Sequence, residues 1–294
     1  MFVHGDNIEQ KINNPKPKYD NETAKTYLRE IKREYEKWKA SNLAIQGPYS
    51  YSTEVQTEEI IRKRVDSFNA YKDFIDQKIY AEFFDSRSNL HSSVLEEFMY
   101  YLFKDIATED NEDALVGKSH AFKDFFFNPL NFTDMLTKSN IKVERKDHDF
   151  IIGSQIDAKL TVKGSGESES EIWNLPAIAI ECKTYIDKTM LESSSTAADQ
   201  LKIKNPSALY FIVSEKVKLT DKINLKKYKV DEIFILRKEK NIDREYTYDS
   251  SYQRNPVYVD VVLKLFEFVK EHLTTDWEGQ FADGLERGFL INRR

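Results

Sequence analysis

Glu181 and Lys183 stand two residues apart at the end of the apolar run Pro176-Ala177-Ile178-Ala179-Ile180. On a β-strand, residues i and i+2 share a face, so the carboxylate and the ammonium project together while Cys182 points the other way. Packing alone explains poorly why an apolar strand should end in this way. Joined by an Asp from a neighbouring strand, such a pair can hold a divalent cation and a water against a phosphodiester. Two carboxylates about 4 Å apart repel by roughly 4 kcal/mol at an effective dielectric of about 20, so the cluster needs a cation or a shared proton. The chemistry indicated is metal-dependent phosphodiester hydrolysis. Taken without their surroundings, the same two residues also fit a surface ion pair worth about 0–1 kcal/mol.

The elements that must position these residues follow from periodicity. Asn13-Asn14-Pro15-Lys16-Pro17-Lys18 makes residues 1 to 20 read as an irregular arm. Leu28, Ile31, Tyr35 and Trp38, then Ile61, Val65, Phe68, Ile75 and Ile79, are spaced for helices over 22–40 and 58–80, with a break at Gly47-Pro48. Ser93-Val94-Leu95-Glu96 has the capping-box form and opens a third helix. On its wheel Glu96 falls opposite the apolar stripe and is assigned to capping, whereas Glu97 falls at the edge of the stripe, where a carboxylate could border a buried cleft. An aromatic-rich connection over 122–132 precedes expected strands at 141–143, 149–153 and 155–162. Residues 164–171 read as a flexible acidic loop. The Glu181 strand, a helix over 188–202, strands at 208–213 and 233–236, and an amphipathic helix from Val259 to Leu273 complete the pattern.

Composition narrows the function classes. A chain of 294 residues with 40% hydrophobic content can build a substantial core. No apolar run approaches the roughly 18 residues of a membrane span, and no secretory signal opens the chain, so a cytoplasmic location is expected. A single cysteine excludes an intramolecular disulfide and a Cys-based zinc cage, and the five His show no ligand spacing. The net charge of −6 is unlike that of a typical nucleic-acid binder, yet 44 Lys and Arg can supply a basic cleft within an acidic envelope.

Lys146-Asp147-His148-Asp149-Phe150 and Ile180-Glu181-Cys182-Lys183-Thr184-Tyr185-Ile186-Asp187-Lys188-Thr189-Met190-Leu191 carry a more specific signal. Together with the order helix, three strands, helix, strand, they resemble the PD-(D/E)XK nuclease core, and within it type II restriction endonuclease subunits of the DdeI and BbvCI group. The resemblance implies an α/β fold with a mixed central sheet flanked by helices, a nuclease domain over 87–294, and a helical N-terminal region over 1–86 of unassigned role. It implies that Asp149 and Glu181 bind Mg²⁺ with the Cys182 backbone carbonyl. Lys183 would orient or help deprotonate the attacking water and contact the scissile phosphate, and Glu97 would be an accessory acid. The implied substrate is double-stranded DNA, cut at a short specific site to leave 5′-phosphate and 3′-hydroxyl ends. The implied partner is a homologous subunit in a heterodimer, or a second copy in a homodimer.

Several assignments stay open on sequence grounds. His148 occupies the place where the family pattern often has Pro, which leaves Asp147 and Asp157 as rivals to Asp149; Asp149 is preferred because it precedes the apolar Phe150-Ile151-Ile152. Cys182 fits a core side chain. Tyr185, Lys188 and the clusters Arg62-Lys63-Arg64, Lys226-Lys227-Tyr228-Lys229 and Arg237-Lys238 fit either phosphate contact or solvated surface. Gly117-Lys118-Ser119 resembles the end of a phosphate-binding loop, but Glu112 stands where its first Gly should be. A structure-specific repair or junction nuclease, or a non-catalytic DNA-binding subunit, are the alternative functions.

Overall fold

The computed structural model describes residues 2–84, 88–242, 248, 252–277 and 279–288. Helices α1 (Val3–Ile12), α2 (Glu22–Leu43), α3 (Glu54–Ile75), α4 (Lys78–Phe83) and α5 (Ser93–Thr108) precede a mixed sheet of β1 (Leu115–Phe127), β2 (Ile141–Thr161), β3 (Ser168–Ile186), β4 (Leu209–Val217) and β5 (Glu232–Ile235), and the sheet order is the chain order. Strands β1 to β3 are antiparallel, whereas β3, β4 and β5 are parallel. Parallel neighbours need a long crossover. Between β3 and β4 it contains α7 (Lys188–Lys204), while a short α6 (Phe132–Met135) lies in the β1–β2 connection and α8 (Val259–Thr274) follows the sheet.

Alternation along the strands distributes side chains to two layers. Phe150, Ile152, Ile178, Ile180, Cys182, Phe211 and Val213 join a core with α5 and α8, which contribute Phe98, Leu102, Val262 and Phe266 among others. On the other face Ile151, Ala179 and Tyr210 meet Ala197, Ala198 and Leu201 of α7. The first core continues without a break through Leu28, Ile31, Trp38, Ile61, Val65 and Phe68, so the N-terminal helices are packed into it.

Strand β2 changes partner along its length, pairing with β1 over 141–153 and with β3 over 150–161. The bend includes a bulge. Between the pairs Gly117–Ile151 and Ser119–His148, Asp149 and Phe150 oppose the single residue Lys118. A second irregularity follows at Gly153, where a Cβ would collide with the Leu175 carbonyl, so only glycine permits this approach of β2 to β3.

Four expectations are corrected. The prolines at 15 and 17 follow a helix instead of marking a whole irregular arm, because α1 packs Ile8 into the core ahead of them. The aromatic connection is the second half of β1. Its register breaks at Gly117/Ser119 and Phe122/Asp124 interrupt the period-2 pattern, and Phe125 to Phe127 are exposed on it. The strands expected at 141–143, 149–153 and 155–162 are one continuous β2, and the acidic loop is shorter than expected because β3 begins at Ser168.

A buried ionic cluster fastens the N-terminal helices to the sheet. Lys72 of α3 lies 3.0 Å from both Asp76 and Glu215, Arg237 lies 2.8 Å from Glu215, and Arg254 reaches Asp76 at 2.5 Å. Burial alone would raise the pKa values of Asp76 and Glu215, but the facing groups outweigh it and hold both carboxyls below their usual range: Lys72, the hydrogen bond with His91 and Arg254 for Asp76, Lys72 and Arg237 for Glu215. Between the ordinary carboxylate value of about 4 and the depressed folded values, the unfolded chain binds more protons. The cluster's contribution is therefore complete above that range and is lost as pH falls through the folded values. Glu215→Gln leaves buried Arg237 without its carboxylate and Lys72 with Asp76 alone, and urea denaturation at neutral pH is expected to show a loss of about 3–5 kcal/mol. That deficit should narrow in acid.

Candidate active site

The site forms where β2 leaves β3. Their ladder ends at the pair Phe150–Ile180, and beyond it the Asp149 side chain replaces the missing backbone partner: its Oδ2 accepts the Cys182 N–H at 3.0 Å. The same oxygen accepts from Lys183 Nζ at 3.3 Å, and Lys183 Nζ lies 2.7 Å from Glu181 Oε1. One ammonium thus bridges two carboxylates. Glu181 and Lys183 share a face as strand geometry requires, while Cys182 is buried in the core on the opposite face. Tyr210 of β4 donates to Glu181 Oε2 at 3.4 Å, and the ring of His148 stands edge-on to Tyr210 at 5.7 Å between centroids.

Electrostatics follow from this packing. Burial disfavours the charge on Lys183, but Asp149 and Glu181 outweigh it and hold the pKa above the usual lysine value. Burial, helped by Lys146, pushes His148 down to about 4, so its imidazole is neutral at pH 7. Burial and the nearby Glu181 carboxylate raise the Tyr210 phenol, which stays protonated and able to donate.

The rivals to Asp149 lie elsewhere. Asp147 is exposed and paired with the exposed His120, and Asp157 points to solvent on the outer part of the β2–β3 ribbon, opposite Ile172. Glu97 is also not brought to the cluster. It is fully buried, and its two oxygens accept four hydrogen bonds, from the Tyr35 and Tyr101 hydroxyls and the backbone N–H groups of His4 and Gly5. Its accessory role is corrected on this ground: the side chain is committed to holding α1 and α2 against α5. The capping assignment of Glu96 is corrected too, because no side chain caps α5. Glu96 instead reaches Lys118 Nζ of β1 at 3.0 Å, and its pKa is raised by burial and then by the nearby charge of Asp149. Helical-wheel reasoning missed this because α5 is buried nearly all round, between the sheet and the N-terminal helices. Lys118 was visible in sequence only as a remnant of a phosphate loop; its place opposite the Asp149 bulge depends on register.

Two carboxylates and a peptide carbonyl make an all-oxygen donor set, the kind a hard divalent cation prefers. In a strand, the N–H and C=O of one residue point to the same side, so the Cys182 carbonyl faces the side from which Asp149 takes its N–H. Among the described residues no three His, Cys, Asp or Glu side chains are close enough to hold a metal by themselves. Two carboxylates would suffice for Mg²⁺, which keeps several of its waters.

Fold and site together define an α/β protein of the restriction-endonuclease type. The chain superposes on a solved native BbvCI A2B2 tetramer with a TM-score of 0.63 at 17% sequence identity, covering 91% of this chain and 96% of that one. A search of curated proteins gives no match. The chain belongs to the Bpu10I restriction endonuclease family, whose model matches residues 87–290. That family is one of restriction endonucleases, which act on DNA.

The two adjacent glutamates should separate experimentally. Glu97→Ala leaves four buried donors without a partner and is expected to cost about 3 kcal/mol or more in chemical denaturation. Glu96→Gln keeps the shape and should move the denaturation midpoint far less.

Proposed function

We propose that the protein is a type II endonuclease subunit that hydrolyses phosphodiester bonds of double-stranded DNA at a short specific sequence, with Mg²⁺, leaving 5′-phosphate and 3′-hydroxyl ends. The observation that carries this reading is the meeting of Asp149, Glu181 and Lys183 at the divergence of β2 and β3, with Lys183 Nζ 3.3 and 2.7 Å from the two carboxylates. Family membership supports it independently.

Asp149, Glu181 and the Cys182 carbonyl would hold the metal. Mg²⁺ bound there supplies charge that polarises the phosphate, offsets negative charge on the leaving oxygen and lowers the pKa of its water. Lys183 orients the attacking water and contacts the scissile phosphate; its bridging position already fixes the ammonium against both carboxylates. Tyr210 steadies Glu181, and Glu96, rather than Glu97, serves as the accessory carboxylate, with Lys118 offsetting its charge.

One such site cuts one strand at a time, so a double-strand break needs either a second site or sequential action. The solved neighbour is an A2B2 assembly. By that likeness this chain works beside a homologous subunit in a heterodimer, or beside a second copy of itself. Residues 87–294 carry the nuclease and 1–86 the helical region, whose continuous core with the sheet supports a stabilising role. Location in the cytoplasm follows from a DNA substrate; among the described residues no helix is long and apolar enough to cross a membrane.

Supercoiled-plasmid cleavage tests the proposal, with Mg²⁺ or EDTA and with and without a co-encoded paralogous subunit. The native chain should give discrete Mg²⁺-dependent nicks or linear product. Lys183→Ala and Asp149→Asn should each lower the rate by about 10²-fold or more. Intact plasmid under every condition, with DNA still bound, would leave a non-catalytic subunit as the better account.

A further inference from the structure

Of the three basic clusters in the sequence, two turn an arginine into the interior and leave their other cations exposed. Arg64 is fully buried and donates to the carbonyls of Asn42, Ile45 and Gly47, while Arg237 is buried against Glu215. The third is different. Lys226, Lys227 and Lys229 are exposed, on the connection between β4 and β5. Residues 216–230 contain six lysines against one acid, Asp221, in a chain whose net charge is −6.

This connection forms one wall of a cleft of about 510 Å³ lined by Lys188, Lys218, Lys222, Asn224, Lys227 and Tyr228, with Thr220 and Ile223. Lys188 has a carboxylate at 3.9 Å, that of Glu192; among the described residues Lys218, Lys222 and Lys227 have none within ion-pair distance. The cleft is held in shape from below. Ile223 and Tyr228 pack on a small core of Ile186, Leu191 and Ile212, and Lys227 lies over the Tyr228 ring at 4.8 Å. Four lysines line one cleft over an apolar floor, and three of them have no carboxylate within ion-pair distance among the described residues, so their charge is available to an external polyanion.

Position relative to the catalytic cluster identifies the polyanion. Strands β3 and β4 are parallel, and the Lys218 N–H donates to the Ile186 carbonyl at 2.7 Å, so the cleft sits beyond their C-terminal ends. Ile186 is three residues past Lys183, which is about 10 Å along a strand. A duplex carries one phosphate per 3.4 Å of axis on each strand, so a backbone held at Lys183 and running along β3 reaches the cleft within about three nucleotides.

We propose that this lysine cleft binds the sugar-phosphate backbone of the DNA duplex a few nucleotides from the scissile bond, independently of sequence. The proposal rests on the endonuclease reading and adds a second anchoring point to it. Lys218, Lys222 and Lys227 each neutralise a phosphate, and Lys188 at the start of α7 joins the two anchoring points. Such contacts fix the register of a duplex on the protein without reading its bases.

Fluorescence anisotropy with a labelled 30-base-pair duplex of arbitrary sequence tests it, in EDTA over 50–200 mM KCl, with any paralogous subunit present. Each phosphate contact accounts for about 3.5-fold of affinity across that range and three for about 40-fold. The variant Lys218→Ala/Lys222→Ala/Lys227→Ala is expected to bind more weakly and to lose about 40-fold less affinity with salt than the native chain. The matching Lys→Arg triple variant should keep the native dependence. Lys16→Ala/Lys63→Ala/Lys78→Ala, an equal charge change in the N-terminal region, should keep it as well. A native salt dependence in the cleft variant, or an equal change in the distal variant, overturns the proposal while plasmid cleavage by the native chain still stands. A native chain that neither binds nor cuts DNA removes the endonuclease reading itself.

Discussion

The hydrogen bond from the Cys182 N–H to the Asp149 carboxylate is the contact on which the site depends. Adjacent strands ordinarily satisfy each other's backbone groups, so a sheet that opens leaves donors facing nothing. Here β2 turns away to continue with β1, and the donor it abandons is met by a side chain instead of a carbonyl. The substitution fixes Asp149 at the level of Glu181 and Lys183 and leaves its second oxygen free of the sheet. Lys183 then stabilises two carboxylates that would otherwise repel at short range. Backbone satisfaction and site assembly are thus one event, and neither strand could be straightened without losing both.

The bulge opposite Lys118 is the device that permits this. Placing Asp149 and Phe150 against one residue lets consecutive side chains serve different purposes, Phe150 in the core under α5 and Asp149 in the opening between strands. His148, next along, is buried against Tyr210, and Tyr210 in turn reaches Glu181. The imidazole therefore leaves the strand end packed, because its ring fills space beside a residue that already touches the cluster.

Much of this was legible in the chain because it is local. The run from Pro176 to Lys183 sets both strand and facing pair by period-2 alternation, and the string that continues to Leu191 supplies the start of α7, with Asp187 as its cap, accepting the Met190 N–H at 2.8 Å. What was not legible depends on packing between distant segments. Whether Glu96 or Glu97 faces the strands is decided by how α1 and α2 cover α5, since both residues are buried and local polarity does not distinguish them. Arg64 and Arg237 look like surface cations in sequence and become interior donors only when loops carrying unpaired carbonyls close over them. Strand β1 escaped notice because its register breaks and its exposed phenylalanines hide the alternation that identifies a strand.

The cluster of Lys72, Asp76, Glu215, Arg237 and Arg254 has a bearing on how such subunits can be recombined. Its charges come from α3, β4 and the segments after β5, and the Lys72–Asp76 pair is the only part that one stretch carries whole. A chimera that exchanges the N-terminal helices between homologous subunits moves that pair away from Glu215, Arg237 and Arg254, and it leaves Glu215 with one buried cation fewer and Asp76 without Arg254 unless the new neighbour offers the same charges. A crossover between helices and sheet thus divides an interior charge network, and the two exchange with least penalty as one block.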